Sequence, residues 1–197
     1  KKYKYRSVLN ISPKDFYKQY VPYDIKSKVC LINIPCKDRP FYKLYNLEMY
    51  GNMVNGRQTN YINVPLETLK DVTKKSIKNN EAVWFGNDVG KYMNSSLGIL
   101  DNKTIDYSML NIDIHSLSKG QKYQYLQSGI SHAMLIKGFN LKKGKIDRWL
   151  VENSWGENGT GTHGNFVMSD SWFDEYVFEI VVDKKHLDQK VLNVLKT

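Results

Sequence analysis

The sequence predicts an α+β fold in which helices separate the strands of a mainly antiparallel sheet. Two apolar runs, 132–139 and 149–151, flank the polar segment 140–147, which contains Gly144. This pattern indicates a β-hairpin of two buried strands. A chain of 197 residues can bury one substantial core, so we expect a single main domain.

Three segments have the features of helices. Residues 12–20 begin with Ser12 in an S-x-x-D capping box, which predicts a short helix. Pro65 suits the start of a second helix that extends to about Asn79. The apolar stripe of this helix is formed by Leu66, Leu69, Thr73 and Ile77. A third helix is predicted over 118–127.

The remaining strands are short. We expect them in KVCLINIP (28–35), EAVWFG (81–86), 166–168 and 177–182, with one helical turn at SDSWFDEY (169–176). The segment 37–63 is rich in Tyr, Asn and Gly and predicts loops with short strands. The glycines at 156, 159, 161 and 164 indicate a loop rather than a phosphate-binding turn, because no strand and helix frame them.

His132 and Asn153 lie near opposite ends of the predicted hairpin. A turn centred between Lys142 and Lys143 aligns residues whose numbers add up to 285, and His132 and Asn153 satisfy that sum. Shifting the turn by one residue would give His132 a different partner, either Trp155 or Val151. Since facing residues lie about 4.5–5.5 Å apart, we expect the two side chains to hydrogen-bond.

Such a bond has a chemical use. An amide oxygen that accepts from one imidazole nitrogen fixes the tautomer and leaves the other nitrogen free to act as a base. Trp155, two residues after Asn153, would lie on the same face and shield the bond from water. The alternative is a core histidine and a strand-end asparagine that only satisfy backbone groups.

Longer motifs around these residues resemble a known family. SHAM, VENSWG and MSDSWFDEYVFEIVVD resemble the C-terminal half of bleomycin hydrolase and bacterial aminopeptidase C, a cytosolic branch of the papain-like cysteine peptidases. The stretches YNLEMYGNMVNGRQTNYINVPLETLK and EAVWFGNDVGKYMNSSLGIL extend the resemblance over nearly the whole chain. One departure is that Asn165 separates Gly164 from the aromatic Phe166.

The resemblance implies the fold and the roles of the site residues. The chain would be one C-terminal portion of a papain-like peptidase, mainly its antiparallel barrel-like half with helical additions. Residues 1–63 would be a mixed lead-in, and 64–197 would carry the catalytic pair. His132 would be the catalytic imidazole and Asn153 its orienting amide.

The nucleophile of this family is a cysteine about 130–150 residues before the histidine. Counting back 130 residues from His132 reaches position 2, so the chain is predicted to lack the nucleophile and to be inactive alone. Cys30 lies in an apolar run and is expected to be buried and slow to react. Cys36 follows Pro35 without the family's neighbouring motif, and is expected to be more accessible but not catalytic.

The resemblance also implies partners. We expect peptide substrates, an N-terminal half that completes the enzyme, a homohexameric parent protein and a cytoplasmic location. The chain begins without Met, and the family continues beyond VLNVLKT into a C-terminal arm, so we expect a portion of a longer protein.

Composition supplies the competing hypothesis. A formal net charge of +9 is compatible with a non-catalytic basic module for binding or assembly, including nucleic-acid binding, although the lysines are scattered. No cofactor or metal is expected, because His115, His132, His163 and His186 show no ligand spacing with the cysteines. The absence of an apolar run near 18 residues argues against a membrane span. The two cysteines, six residues apart around Pro35, indicate a reducing compartment.

Overall fold

A computed structural model describes residues 4–21, 23–48, 53–56, 58–111, 116–158 and 160–196. Its strands are β1 (Lys28–Ile32), β2 (Lys43–Asn46), β3 (Asn60–Asn63), β4 (Val83–Asn87), β5 (Met93–Asn94), β6 (Ile99–Leu100), β7 (His132–Lys142), β8 (Lys145–Glu152), β9 (Asn165–Ser169) and β10 (Val177–Asp183). Its α-helices are α1 (Pro13–Tyr20), α2 (Leu66–Lys78), α3 (Lys119–Gln124), α4 (Asp170–Tyr176) and α5 (Gln189–Val194). Short 3₁₀ turns lie at Ile25–Ser27, Ser108–Leu110 and Lys184–His186.

All of these strands belong to one sheet in the order β2-β3-β1-β10-β4-β7-β8-β9-β6-β5. The pairs β1–β3 and β6–β9 are parallel, and the other pairs in this order are antiparallel. The mainly antiparallel α+β fold expected from the sequence is therefore confirmed. The strands of the lead-in, β1 to β3, are part of the same sheet as the strands that follow residue 64.

Two helices, α2 and α4, pack their apolar sides against the sheet and share one hydrophobic core with it. α2 packs against β10 and β7, and α4 packs against β8, β9 and β10. Each of these helices buries several side chains, including Leu69 and Val72 from α2 and Trp172 and Phe173 from α4. The largest fully buried side chains are Trp149, Trp172, Phe85, Phe166, Phe173 and Phe178.

The ends of the helices follow local capping rules. The Ser12 hydroxyl accepts from the backbone N–H of Asp15 at the start of α1, as the sequence predicts. Ser118 and Gln121 form a reciprocal capping box at the start of α3. The predicted third helix is real but ends at Gln124, before the 127 that the pattern suggested.

The hairpin of β7 and β8 is confirmed, but its turn lies one residue later than predicted. Lys143 and Gly144 form the turn with φ of 52° and 79°, the positive values that a two-residue primed turn requires. Lys142 therefore faces Lys145, and the facing residues add up to 287 or 288, with bulges after Ile136 and Asn140. The predicted sum of 285 is wrong because Gly144, rather than the lysine pair before it, supplies the flexible turn position.

Other differences concern length and short elements. β4 continues one residue past Gly86 to Asn87, and α4 has seven residues where a single turn was predicted. The two-residue strands β5 and β6 carry too few residues for a sequence period, and they were not predicted, nor was α5. His115 and Gly159, named from the sequence, lie outside the described residues. Within the described part of the chain, no helix has the length and apolar character needed to cross a bilayer.

Candidate active site

The sheet brings His132 and Asn153 into direct contact. His132 is the first residue of β7, and Asn153 directly follows the end of β8. The Nε2 atom of His132 lies 2.8 Å from the Oδ1 atom of Asn153. The amide is almost fully enclosed, with Asn153 7% exposed, so little water competes for this bond. The contact predicted from the sequence is confirmed, although the register that predicted it is not.

A neighbouring backbone group fixes the orientation of the Asn153 amide. The N–H of Ser154 donates to the same Oδ1 atom over 2.8 Å. A backbone N–H can only donate, so the atom facing it is the amide oxygen and not the NH₂ group. Since this oxygen accepts from both neighbours, Nε2 of His132 carries the proton in this bond. Nδ1 is then left as the nitrogen with a free lone pair in the neutral ring.

Trp155 covers the imidazole. Its ring centroid lies 4.9 Å from that of His132, with a 33° angle between the planes. The indole also meets the ring of Phe166 edge-on, with centroids 6.5 Å apart. β8 ends at Glu152, so Trp155 is not on a continuing strand, but its ring still contacts that of His132. Trp155 is 43% exposed, so its indole borders both the imidazole and the solvent.

The loop after Asn153 is held by glycine geometry. The N–H of Asn153 donates to the carbonyl of Gly164 over 2.9 Å. Gly164 has a φ of +77°, and a Cβ there would lie 2.9 Å from the Gly156 carbonyl oxygen. Any other residue at this position would therefore push the backbone at 164 away from the backbone at 156. Asn165, the residue that departs from the family pattern, donates through Nδ2 to the carbonyls of Thr162 and His163. Asn165 therefore closes the loop locally.

The structure corrects the prediction for Cys36. This residue is buried, 8% exposed, and its thiol donates to the carbonyl of Gly120 over 3.4 Å. The expectation that Cys36 is the more accessible cysteine is wrong, because α3 lies over it and places Gly120 against it. The position of α3 depends on contacts far apart in sequence: Nζ of the buried Lys119 donates to Asn33 Oδ1 over 2.9 Å and to the Val177 carbonyl over 2.6 Å.

Cys30 lies on β1 as predicted but is only partly buried. Burial, together with the charge of Glu179, raises the pKa of its thiol to about 12. Burial also raises the pKa of Cys36. Both thiols are therefore held in the unreactive protonated form at neutral pH.

Cys30 does not lie beside His132. β10 and β4 separate β1 from β7 in the sheet, which places the two strands about 14 Å apart at the usual spacing between strands. The contacts of Cys36 are with Gly120 and with a small apolar cluster that includes Ile34 and Phe178. Cys30 is thus too far from the imidazole to serve it, and the Cys36 thiol is engaged by Gly120 and this cluster instead. Within the described residues, no three His, Cys, Asp or Glu side chains form a group that could hold a metal ion.

Sequence reasoning missed the residues that hold the start of β7. Asn87 faces His132 across the β4–β7 ladder, and its Nδ2 donates to the His132 carbonyl over 3.2 Å. Asp88 follows it and bonds to the residues that precede His132. The only local sign of this role in the sequence is the polar pair Asn-Asp at the end of an apolar run. The role itself depends on the pairing of β4 with β7, which joins residues 45 positions apart in the chain.

Comparisons with known proteins agree on one family. The sequence model of the Peptidase C1-like family matches residues 1–197. Aminopeptidase C of Listeria monocytogenes serovar 1/2a is 41% identical over 191 residues, which cover 95% of this chain and 42% of that protein. Bleomycin hydrolase of Homo sapiens is 40% identical over 198 residues, which cover 98% of this chain and 43% of that protein.

The fold has a counterpart among solved structures. The crystal structure of PepW from Lactobacillus rhamnosis HN001 superimposes with a TM-score of 0.90 at 40% sequence identity, covering 94% of this chain and 42% of that one. The chain thus spans about two fifths of the length of these relatives.

Proposed function

Because the chain belongs to the Peptidase C1-like family and has its papain-like α+β fold, we propose that the protein containing it is a cysteine aminopeptidase with a Cys-His-Asn triad. The names of the relatives, aminopeptidase C and bleomycin hydrolase, support the aminopeptidase activity. The observation that carries the proposal is the bond between His132 Nε2 and Asn153 Oδ1, because it leaves Nδ1 as the ring nitrogen available for proton transfer.

In this proposal, the nucleophile is a cysteine outside residues 1–197. Its thiolate pairs with the His132 imidazolium and attacks the carbonyl carbon of the scissile peptide bond. The imidazolium then gives its Nδ1 proton to the leaving amine as the C–N bond breaks, and a thioester remains on the cysteine. The neutral imidazole next accepts a proton from the water that hydrolyses the thioester, which releases the acid product and restores the thiolate–imidazolium pair.

Asn153 and Trp155 support the imidazole in both halves of this cycle. The amide oxygen of Asn153 accepts from Nε2 in the neutral ring and in the imidazolium, so the ring keeps its orientation when it is protonated. Trp155 limits the access of water to this bond, which strengthens it. On the resemblance to this branch alone, we also propose a cytosolic homohexameric parent protein whose N-terminal part supplies the cysteine.

A fluorogenic aminoacyl substrate tests the proposal in two chains. One is residues 1–197 alone, and the other joins this chain to the N-terminal three fifths of the Listeria enzyme, with that enzyme as the positive control. We expect turnover only in the joined protein, with loss of activity after iodoacetamide treatment or on His132→Ala. His163→Asn is the matched control, because it changes an exposed histidine and keeps a residue type that tolerates the φ of 52° at this position.

Two results would contradict the proposal. Iodoacetamide-sensitive turnover by residues 1–197 alone would make Cys30 or Cys36 a nucleophile. A folded joined protein without turnover would favour the non-catalytic basic module.

Many lysines are already paired with carboxylates within 4 Å, including Lys28, Lys70, Lys75, Lys122, Lys137 and Lys185. This pairing reduces the positive charge available to a nucleic acid, so salt-resistant, sequence-selective binding would be needed to support that alternative.

A further inference from the structure

Asp88 is a buried carboxylate that receives hydrogen bonds from the segment leading into His132. Its Oδ2 atom accepts from the hydroxyl of Ser128 over 2.8 Å, and its Oδ1 atom accepts from the hydroxyl of Ser131 over 3.3 Å. Asp88 itself is held in place, because its N–H donates to the Tyr176 carbonyl at the end of α4 over 3.0 Å. The carboxylate is only 8% exposed. One fixed group therefore holds both ends of the segment 128–131.

Asn87 attaches the same segment through the main chain. Its carbonyl accepts from the N–H of Ser131 over 2.9 Å, and its Nδ2 donates to the carbonyl of His132 over 3.2 Å. Asn87 is fully buried. The end of β4 thus contacts the residue before the imidazole and the backbone of the imidazole residue itself.

These contacts matter because β7 pairs with β4 from His132 onward but pairs with β8 only from Leu135 onward. The ladder between β7 and β8 starts at Leu135, which faces Glu152, whereas His132 pairs only with Asn87 on β4. The direction of the His132 Cβ therefore depends on β4 and on the segment before it. The short bond from Ser128 and the longer bond from Ser131 to the Asp88 carboxylate attach this segment to the end of β4.

We propose that Asp88 is a positioning residue that, through Ser128 and Ser131, keeps the imidazole of His132 directed at Asn153. When the carboxylate is removed, the Ser128 hydroxyl loses its acceptor and the Ser131 hydroxyl keeps only its bond to the Asn87 carbonyl, at 3.4 Å, so the segment 128–131 takes up additional conformations. The backbone of His132 follows, and the bond from Nε2 to Asn153 is made for a smaller fraction of the time. The inference rests on the proposed function only in taking His132 as the catalytic base.

The test observes His132 directly in residues 1–197. With ¹⁵N-labelled imidazole, NMR reports which ring nitrogen carries the proton and how fast the Nε2 proton exchanges with water. In the wild-type chain we expect the Nε2–H form. Asp88→Ala should speed the exchange of this proton by about tenfold or more and populate the Nδ1–H form, since the loss of one buried hydrogen bond changes an equilibrium by about this factor. Ser131→Ala should act in the same direction with a smaller change.

Conservative variants separate positioning from general loss of stability. Ser131→Thr keeps the hydroxyl and should stay close to the wild type. Asp88→Asn keeps an acceptor for only one of the two hydroxyls, so its effect should lie between those of the wild type and Asp88→Ala. Asp183→Asn is the matched control, because this carboxylate binds Ser27 and Lys28 elsewhere in the sheet, and its loss should leave the His132 signals unchanged.

The inference is overturned if folded Asp88→Ala shows wild-type tautomer and exchange. If Asp88→Ala does not fold, a wild-type tautomer and a wild-type exchange rate in both Ser128→Ala and Ser131→Ala overturn the inference. Because the measurement needs no turnover, the two proposals can fail separately. An inactive joined protein with the expected NMR response of Asp88→Ala would contradict the peptidase assignment alone. An active joined protein with wild-type signals in Asp88→Ala would contradict the positioning role alone.

Discussion

His132 and Asn153 are hydrogen-bonded although the ladder of their hairpin does not align them. The facing residues beside the turn add up to 287, a sum that would place His132 opposite Trp155. Asn153 instead leaves the ladder after Glu152, donates its N–H to Gly164 and turns its amide toward the imidazole. The contact therefore depends on the break in β8 as well as on the hairpin.

The two members of the pair should differ in their effect on activity. In the joined protein, His132→Ala should lower kcat/KM by about 10³-fold or more, since it removes the proton donor and acceptor of both steps. Asn153→Ala should lower it about 10- to 100-fold, because one hydrogen bond to an ionisable ring is lost while some productive ring orientations remain. Asn153→Asp retains the acceptor oxygen and should lose less than Asn153→Ala. Equal losses for His132→Ala and Asn153→Ala would argue against an orienting role.

Trp155 should contribute through shielding. Trp155→Ala opens the His132–Asn153 bond to water and should lower kcat about tenfold, whereas Trp155→Phe keeps an aromatic face and should retain most of the activity. Trp84→Ala provides the control, because Trp84 is similarly exposed at 39% but lies on β4 opposite Leu135. A comparable loss in that variant would indicate a general packing effect.

The sequence predicts well the structural features that depend on residues close together in the chain. It does not predict the features that depend on contacts between residues far apart in the chain. The hairpin and the cap of α1 follow from local periods and short spacings. The contact of His132 with Asn153 was predicted from a register that the hairpin does not have, and it depends also on the break in β8 after Glu152. The accessibility of Cys36 was predicted wrongly because α3, more than 80 residues later, covers it. Asp88 went unrecognised for the same reason, since its partners Ser128 and Ser131 reach it only through the pairing of β4 with β7.

Neither cysteine should react rapidly in the folded chain. A pKa of about 12 leaves Cys30 with roughly 10³-fold less thiolate at pH 8 than an ordinary thiol, and Cys36 is enclosed beneath α3. Mass-resolved alkylation under native conditions should show slow labelling of both, with rapid labelling in guanidinium chloride. Glu179→Gln removes a charge that raises the Cys30 pKa, so it should accelerate labelling of Cys30 and leave Cys36 unchanged. Rapid labelling of native Cys36 would show that α3 does not cover it.

Acid should weaken the fold through a cluster of charges at the ends of β1 and β10. The pKa of Asp183 is lowered by the hydrogen bonds it accepts from the Lys185 N–H, Ser27 and Lys28. The pKa of Glu81 is lowered mainly by Lys185, with a contribution from His186. Both folded-state values lie below those of the unfolded chain, so their stabilisation is complete above about pH 5 and declines as the pH falls through about 4 and below.

Urea denaturation at pH 7 and pH 3.5 measures this effect. At pH 7, Asp183→Asn should reduce the free energy of unfolding by about 1 kcal/mol, because charge-assisted bonds become neutral ones. The difference between variant and wild type should shrink at pH 3.5, where the aspartate is partly protonated in the unfolded chain. A difference that grows on acidification would contradict the sign of the shift. Lys184→Gln offers a control in the same 3₁₀ turn, because it leaves both carboxylates in place.

The position of β10 has a consequence for how the chain is made. Among the described strands it is the last to leave the ribosome, yet it lies inside the sheet, between β1 and β4. Val181 faces Cys30 on one side and Trp84 on the other. Until residues 177–183 emerge, β1 and β4 each present an open edge, and the nascent sheet exists as two separate pieces. A polypeptide that ends before this point keeps two open strand edges as templates for intermolecular strand addition, so we expect premature termination to favour aggregation over a smaller soluble product.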